Sequence, residues 1–189
     1  PILNLLLVLF MGISVGASVM VSQYFGAKDR DRLEATIGTT ITATIVSSIF
    51  IMIVGPLITR PVMTALGTPE EIYEMSCTYL VILFGGIIGS AFYNILAGVL
   101  RGLGDSVMPV IFLIIACLLN IGLDIWFVAG FHWNVAGVAI ATIISQIVSG
   151  GLCLVRLLWM RDVLTVKASY LWPRAKYVKQ LIRLGLPSG

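Results

Sequence analysis

The stretch VMPVIFLIIACLLNIGLDIWFV, residues 107–128, decides the fold. It holds one charge, Asp124, and shows no alternation of polar and apolar positions. About 20 apolar residues make a helix about 30 Å long, the thickness of a bilayer's hydrocarbon core. A strand here would leave backbone groups unpaired in lipid unless a barrel closed, and a barrel needs the missing alternation. The stretch is read as a membrane-spanning helix.

Four similar runs surround it, at 3–22, 35–59, 77–100 and 135–159. The whole 189-residue chain agrees: 59% is hydrophobic, 11% is charged, and mean hydropathy is +1.04. Soluble domains carry about 25% charged residues, so water is the wrong solvent for this one. The expected fold is an all-α membrane protein with five transmembrane helices in 1–159.

The connections are short and polar. Residues 23–34 contain Lys28, Asp29, Arg30, Asp31 and Arg32, and residues 60–76 contain Glu70, Glu71 and Glu74. Gly67-Thr68-Pro69-Glu70-Glu71 reads as a helix start, with Thr68 as cap and Pro69 in first position. Residues 101–106 and 129–134 read as turns. Pairs at glycine-xxx-glycine spacing, Gly12/Gly16, Gly85/Gly89 and Gly98/Gly102, allow helices to approach closely.

Charge sets an orientation. Eleven of the twelve Lys and Arg residues lie in or beside the first, third and fifth connections, and the other is Arg60. By the positive-inside rule Pro1 lies outside and the basic tail in the cytoplasm. Trp126 and Trp133 then fall near the outer interface and Trp159 near the inner one, as aromatic belts require. In the tail, Tyr177, Val178, Leu181 and Ile182 share one helical face, and Lys176, Lys179 and Arg183 the other. This predicts an amphipathic helix on the membrane surface, within a connector at 160–185. The apolar first residues and the helix-like start at 186–189 read as the ends of a piece of a longer chain.

Basic residues do not interleave with exposed aromatics, so no nucleic-acid partner is expected. Cys77, Cys117 and Cys153 are odd in number and lack CxxC spacing, which argues against a disulfide framework or a zinc site. Arg101-Gly102-Leu103-Gly104 lacks the third glycine and the strand of a phosphate loop. Gly89-Ser90 has no histidine base beside it. No catalytic constellation emerges, and no enzyme is expected.

Asp124 stands out because an ionisable group within a span is costly and marks function by default. Asn120 lies one helical turn before it, on the same face. Counting outward from Phe131 and His132, Thr142 lies about as deep as that pair, with Gln146 one turn deeper on the same face. Asp124, Asn120 and Thr142 can therefore form an oxygen-rich site for a hard cation. A buried carboxyl also suits a proton, since desolvation favours the neutral acid. The competing reading is that Asp124 reaches the interface or caps a helix. Asn94 and Gln146 are weaker cavity candidates, and Asn94 has a competing role in bonding a neighbouring helix.

Tyr93-Asn94-Ile95-Leu96-Ala97-Gly98-Val99-Leu100-Arg101-Gly102-Leu103-Gly104-Asp105-Ser106, followed by Pro109, resembles the third-to-fourth connection of the multidrug and toxic compound extrusion (MATE) family. Leu119-Asn120-Ile121-Gly122-Leu123-Asp124, the run from Val135 to Thr142, and Ser22-Gln23-Tyr24-Phe25-Gly26-Ala27 resemble it too. The resemblance implies helices two to six of a six-helix N-lobe, an inter-lobe linker at 160–185 and the start of helix seven at 186–189. It implies a plasma-membrane protein (bacterial inner membrane) that expels small cationic or amphipathic compounds in exchange for sodium or protons, with no cofactor. The family's N-lobe cation site matches Asn120, Asp124 and Thr142. Its further aspartate, on helix one, and its C-lobe lie outside this sequence. The main rival is a lipid-linked oligosaccharide flippase of the same superfamily. Such a cavity usually carries several cationic residues, and no Lys or Arg lies deep in these runs. A membrane-embedded enzyme and a non-transporting membrane scaffold are more distant rivals.

Overall fold

The structure is a computed structural model that describes residues 2–160, with side chains from 13 onward. The expected linker, its amphipathic helix and the start at 186–189 fall outside the described residues. Six α-helices follow in order: α1 (Ile2–Gly26), α2 (Arg30–Ala65), α3 (Glu70–Gly85), α4 (Ile87–Gly102), α5 (Val107–Ile125) and α6 (Asn134–Trp159). A π-helical turn, Trp126–Gly130, extends α5. No strand occurs among the described residues.

Every expected run lies in helix. The run 77–100, however, is two helices that meet at Gly86 with a bend of 50°. An added Cβ at Gly86 would collide with the Ile143 side chain, so the elbow presses directly on α6. Among the described residues, three helices are each long and apolar enough to cross a membrane: α2, α5 with its π turn, and α6. The α3–α4 pair makes a fourth if counted as one bent span.

The helix ends show why the turns fall where they do. After α1, Asp29 N–H donates to Tyr24 O and Lys28 N–H to Phe25 O. The same double closure follows α2 at Gly67 and α4 at Gly104. Each puts the residue after the cap at positive φ: 55° for Lys28, 63° for Gly67 and 92° for Gly104. Asp29 then caps α2 by accepting from Arg32 N–H at 3.1 Å. Thr68 does not cap α3. Its hydroxyl turns back to Met63 Sδ, and Pro69 takes the cap position. Glu34, read as part of a polar connection, instead lies inside α2 and is buried.

α4 is the central helix, packed against α1, α2 and α6. Its Ile95, Leu96, Ala97, Val99 and Leu100 are essentially inaccessible. Two of its glycines permit the crossing with α1: a Cβ on Gly98 would meet Ser14, and one on Gly102 would meet Ser18 O and Val21. Toward α6, Gly86 and Gly89 make the close approach, whereas Gly85 faces open space. Buried hydroxyls recur every fourth residue of α2, at Thr36, Thr40, Thr44 and Ser48. The three threonines each donate to the carbonyl one turn back.

The outside of the bundle is apolar. Phe50, Ile53, Leu57, Ile114, Leu118 and Ile125 are among its exposed residues, Leu57 at 73%. Apolar faces this extensive would not remain dispersed in water, and they suit lipid chains.

Candidate functional site

α5 packs along α6. Asn120 and Asp124 stand one turn apart on α5, and Thr142 and Gln146 one turn apart on α6. Asn120 Nδ2, Asp124 Oδ1 and Gln146 Oε1 are all shut off from solvent and have no hydrogen-bond partner. Thr142 donates its hydroxyl hydrogen to Val138 O at 2.9 Å, which leaves its oxygen free to accept. Among the described residues, no hydrogen bond joins these four side chains to one another.

Asp124 is not a cap. The helical path continues through the π turn to Gly130, and Asp124 Oδ1 is enclosed. An unpaired enclosed carboxylate oxygen is costly, although Asp124 as a whole is only partly buried. Asn94 stands apart from this group. Its Nδ2 donates to Ser90 O at 2.8 Å within α4, and its backbone carbonyl accepts from Ser14 Oγ at 2.5 Å. The bond to the neighbouring helix therefore runs through the Asn94 backbone rather than its side chain.

Both ends of the α5–α6 hairpin are tied. At one end Trp126, Phe127, Phe131 and Trp133 form a four-ring cluster with neighbouring centroids 5.4–6.3 Å apart. The expected turn at 129–134 is shorter than anticipated, because the π turn carries α5 on to Gly130. At the other end Asp105 accepts from Met108 N–H and from Arg156 Nε. Sequence reasoning missed this ion pair. Its signal was an acid just before α5 and a base in the last turn of α6. Arg101 reaches Ser14 Oγ at 3.2 Å, and Tyr93 Oη donates to Pro109 O at 3.1 Å.

The MatE family model matches residues 1–126. The chain is 32% identical to the probable multidrug resistance protein YoeA of Bacillus subtilis, over all of this chain and 42% of that protein. It is 24% identical to the multidrug export protein MepA of Staphylococcus saprophyticus, again over all of this chain and 42% of the relative. A solved inward-facing multidrug resistance MATE transporter of the MOP superfamily superposes with a TM-score of 0.90. That similarity has 26% identity and covers 96% of this chain and 42% of the other. The chain thus spans about two fifths of the length of these relatives. With its bundle of apolar helices and a family match over two thirds of its length, this membrane protein belongs to the MatE family.

Proposed function

We propose that this chain supplies most of the N-lobe of an antiporter that expels small cationic or amphipathic compounds from the cell. Exchange is for sodium or a proton bound at Asp124. The observation that carries the reading is the set of enclosed, unpartnered polar atoms on α5 and α6: Asn120 Nδ2, Asp124 Oδ1 and Gln146 Oε1.

Those residues fit a hard cation. Asp124 supplies charge, and the oxygens of Thr142 and Gln146 can add ligands. Turning the Asn120 amide about its last bond would present its oxygen instead of its nitrogen. A proton on Asp124 would equally remove the unpaired charge. In this reading the ion and the cationic compound favour different states of the cavity, and that difference in affinity drives alternating access. The relatives named above as multidrug resistance and export proteins support efflux as the task.

The reading includes five membrane crossings, α1, α2, the bent α3–α4 pair, α5 and α6, in the plasma membrane. Pro1 lies outside and residues 160–185 form a cytoplasmic link to a C-lobe. The distribution of basic residues supports this orientation, because eleven of the twelve Lys and Arg residues, Lys28, Arg30 and Arg32 among them, lie in or beside the connections it assigns to the cytoplasmic side. The flippase reading is disfavoured by the absence of any Lys or Arg deep within the described helices.

The test uses the complete transporter in proteoliposomes. Asp124→Asn should abolish the dependence of efflux on both sodium and pH gradients and greatly slow efflux itself. Unchanged efflux with unchanged ion dependence would overturn the proposal.

A further inference from the structure

Four aromatic rings close the end of the α5–α6 hairpin. Trp126 and Phe127 stack at 5.7 Å with 21° between planes. Phe131 lies 5.5 Å from both Trp126 and Trp133, and Phe127 lies 5.4 Å from Trp133. The backbone is shaped to present them. The π turn carries Trp126 and Phe127, and His132 and Asn134 take positive φ on either side of Trp133. Gly137 gives the cluster its seat on α6, since a Cβ there would come within 3.0 Å of Phe127 Cβ and 3.2 Å of Trp133 Cβ.

Phe127 is buried as the hub, but Trp126, Phe131 and Trp133 are 58%, 50% and 48% exposed. Water is a poor environment for three such rings. The surroundings name another. α5 with its π turn and α6 are each long and apolar enough to cross a membrane, so their connection must emerge at a bilayer surface. Between Trp126 and Asn134 the only titratable side chain is His132. Flat amphipathic rings at the end of apolar helices prefer the boundary between acyl chains and headgroups.

We infer that this cluster is a pre-assembled anchor for the lipid headgroup boundary at that end of the bundle, and that it fixes the depth of the end of α5. Packing among the rings holds them in place before lipid arrives, so little side-chain freedom is lost on insertion. Asp124 lies two residues before Trp126, so the anchor also sets how far that carboxyl lies from the aqueous phase. This inference needs only the membrane fold and stands apart from the antiport reading.

The experiment uses the complete protein in vesicles of phosphatidylethanolamine and phosphatidylglycerol. Trp159→Phe and Trp172→Phe leave Trp126 and Trp133 as the emitters of this segment, and any tryptophan elsewhere in the protein is replaced likewise. Quenching is compared for lipids brominated near the headgroup, lipids brominated near the chain ends, and aqueous acrylamide. Stronger quenching by the shallow bromines is expected. Preference for the deep bromines, quenching by acrylamide alone, or protection from all three would overturn the anchor. A second arm places a spin label at Ile125→Cys in a background without the other cysteines. Trp126→Ala, Phe131→Ala and Trp133→Ala together should shift its collision ratio between oxygen and a water-soluble nickel chelate. An unchanged ratio would overturn the depth assignment.

Discussion

Arg156 Nε donates to Asp105 Oδ2 at 2.9 Å, and the other oxygen of the same carboxylate accepts from Met108 N–H at 3.2 Å. One side chain thus begins α5 and ties it to the last turn of α6. The two functions separate by substitution. Asp105→Asn keeps an acceptor for Met108 but loses the charge pair, and should cost about 1–2 kcal/mol because the pair is only partly buried. Asp105→Leu loses both and should cost about 1 kcal/mol more. A double-mutant cycle of Asp105→Asn with Arg156→Gln, read by unfolding in mild detergent, should return a coupling of similar size.

The enclosed, unpartnered side-chain oxygen of Gln146 gives a prediction with two signs. A buried polar group without a partner is unfavourable, so Gln146→Leu should leave ion-free protein as stable or raise its stability by about 1 kcal/mol. The same change should weaken any stabilisation by sodium. Thermal unfolding of the complete transporter with and without sodium measures both. A loss of stability in the ion-free state would mean that the amide already has a partner.

Two glycines with opposite surroundings test the packing. Gly98→Ala would set a Cβ 2.6 Å from the backbone oxygen of Ser14, and backbone cannot step aside. It should destabilise the α1–α4 crossing by about 1–3 kcal/mol. Gly122→Ala meets nothing within 4 Å and should be neutral or stabilise α5 by up to about 1 kcal/mol. Unfolding midpoints of the two variants should move in opposite directions or by clearly different amounts.

Tyr93→Phe removes the hydroxyl that donates to Pro109 O across the α4–α5 turn. The loss should be about 1 kcal/mol, measured by the same unfolding assay. Lys28→Gly should stabilise, because Lys28 holds a φ of 55° that glycine adopts without steric cost.

The helices were legible because a bilayer demands long uncharged runs, and each run expected from hydropathy is helical. The break at Gly86 was not, because a run of apolar residues carries no mark of direction. The elbow packs against Ile143, more than fifty residues away. For the site, helical spacing paired Asn120 with Asp124 and Thr142 with Gln146. The lack of partners for three of these side chains required tertiary packing to appear. Asp105 and Arg156 escaped notice because they lie 51 residues apart and meet only once α5 and α6 pack together. Thr68 was misread because the favoured capping residue lost to a proline cap, with its hydroxyl drawn back to Met63.

The turn between α5 and α6 bears on biogenesis. His132 is the one titratable side chain in it that would need to pass through lipid if the two helices entered the membrane together as a hairpin. The turn between α1 and α2 holds Lys28, Asp29, Arg30, Asp31 and Arg32 and carries a far higher barrier to passage. In the proposed orientation the α5–α6 turn is threaded across the bilayer during synthesis, while the α1–α2 turn is retained on the ribosome's side. In that orientation, an aromatic tip without Lys, Arg, Asp or Glu lowers the barrier to inserting α5 and α6 as one unit.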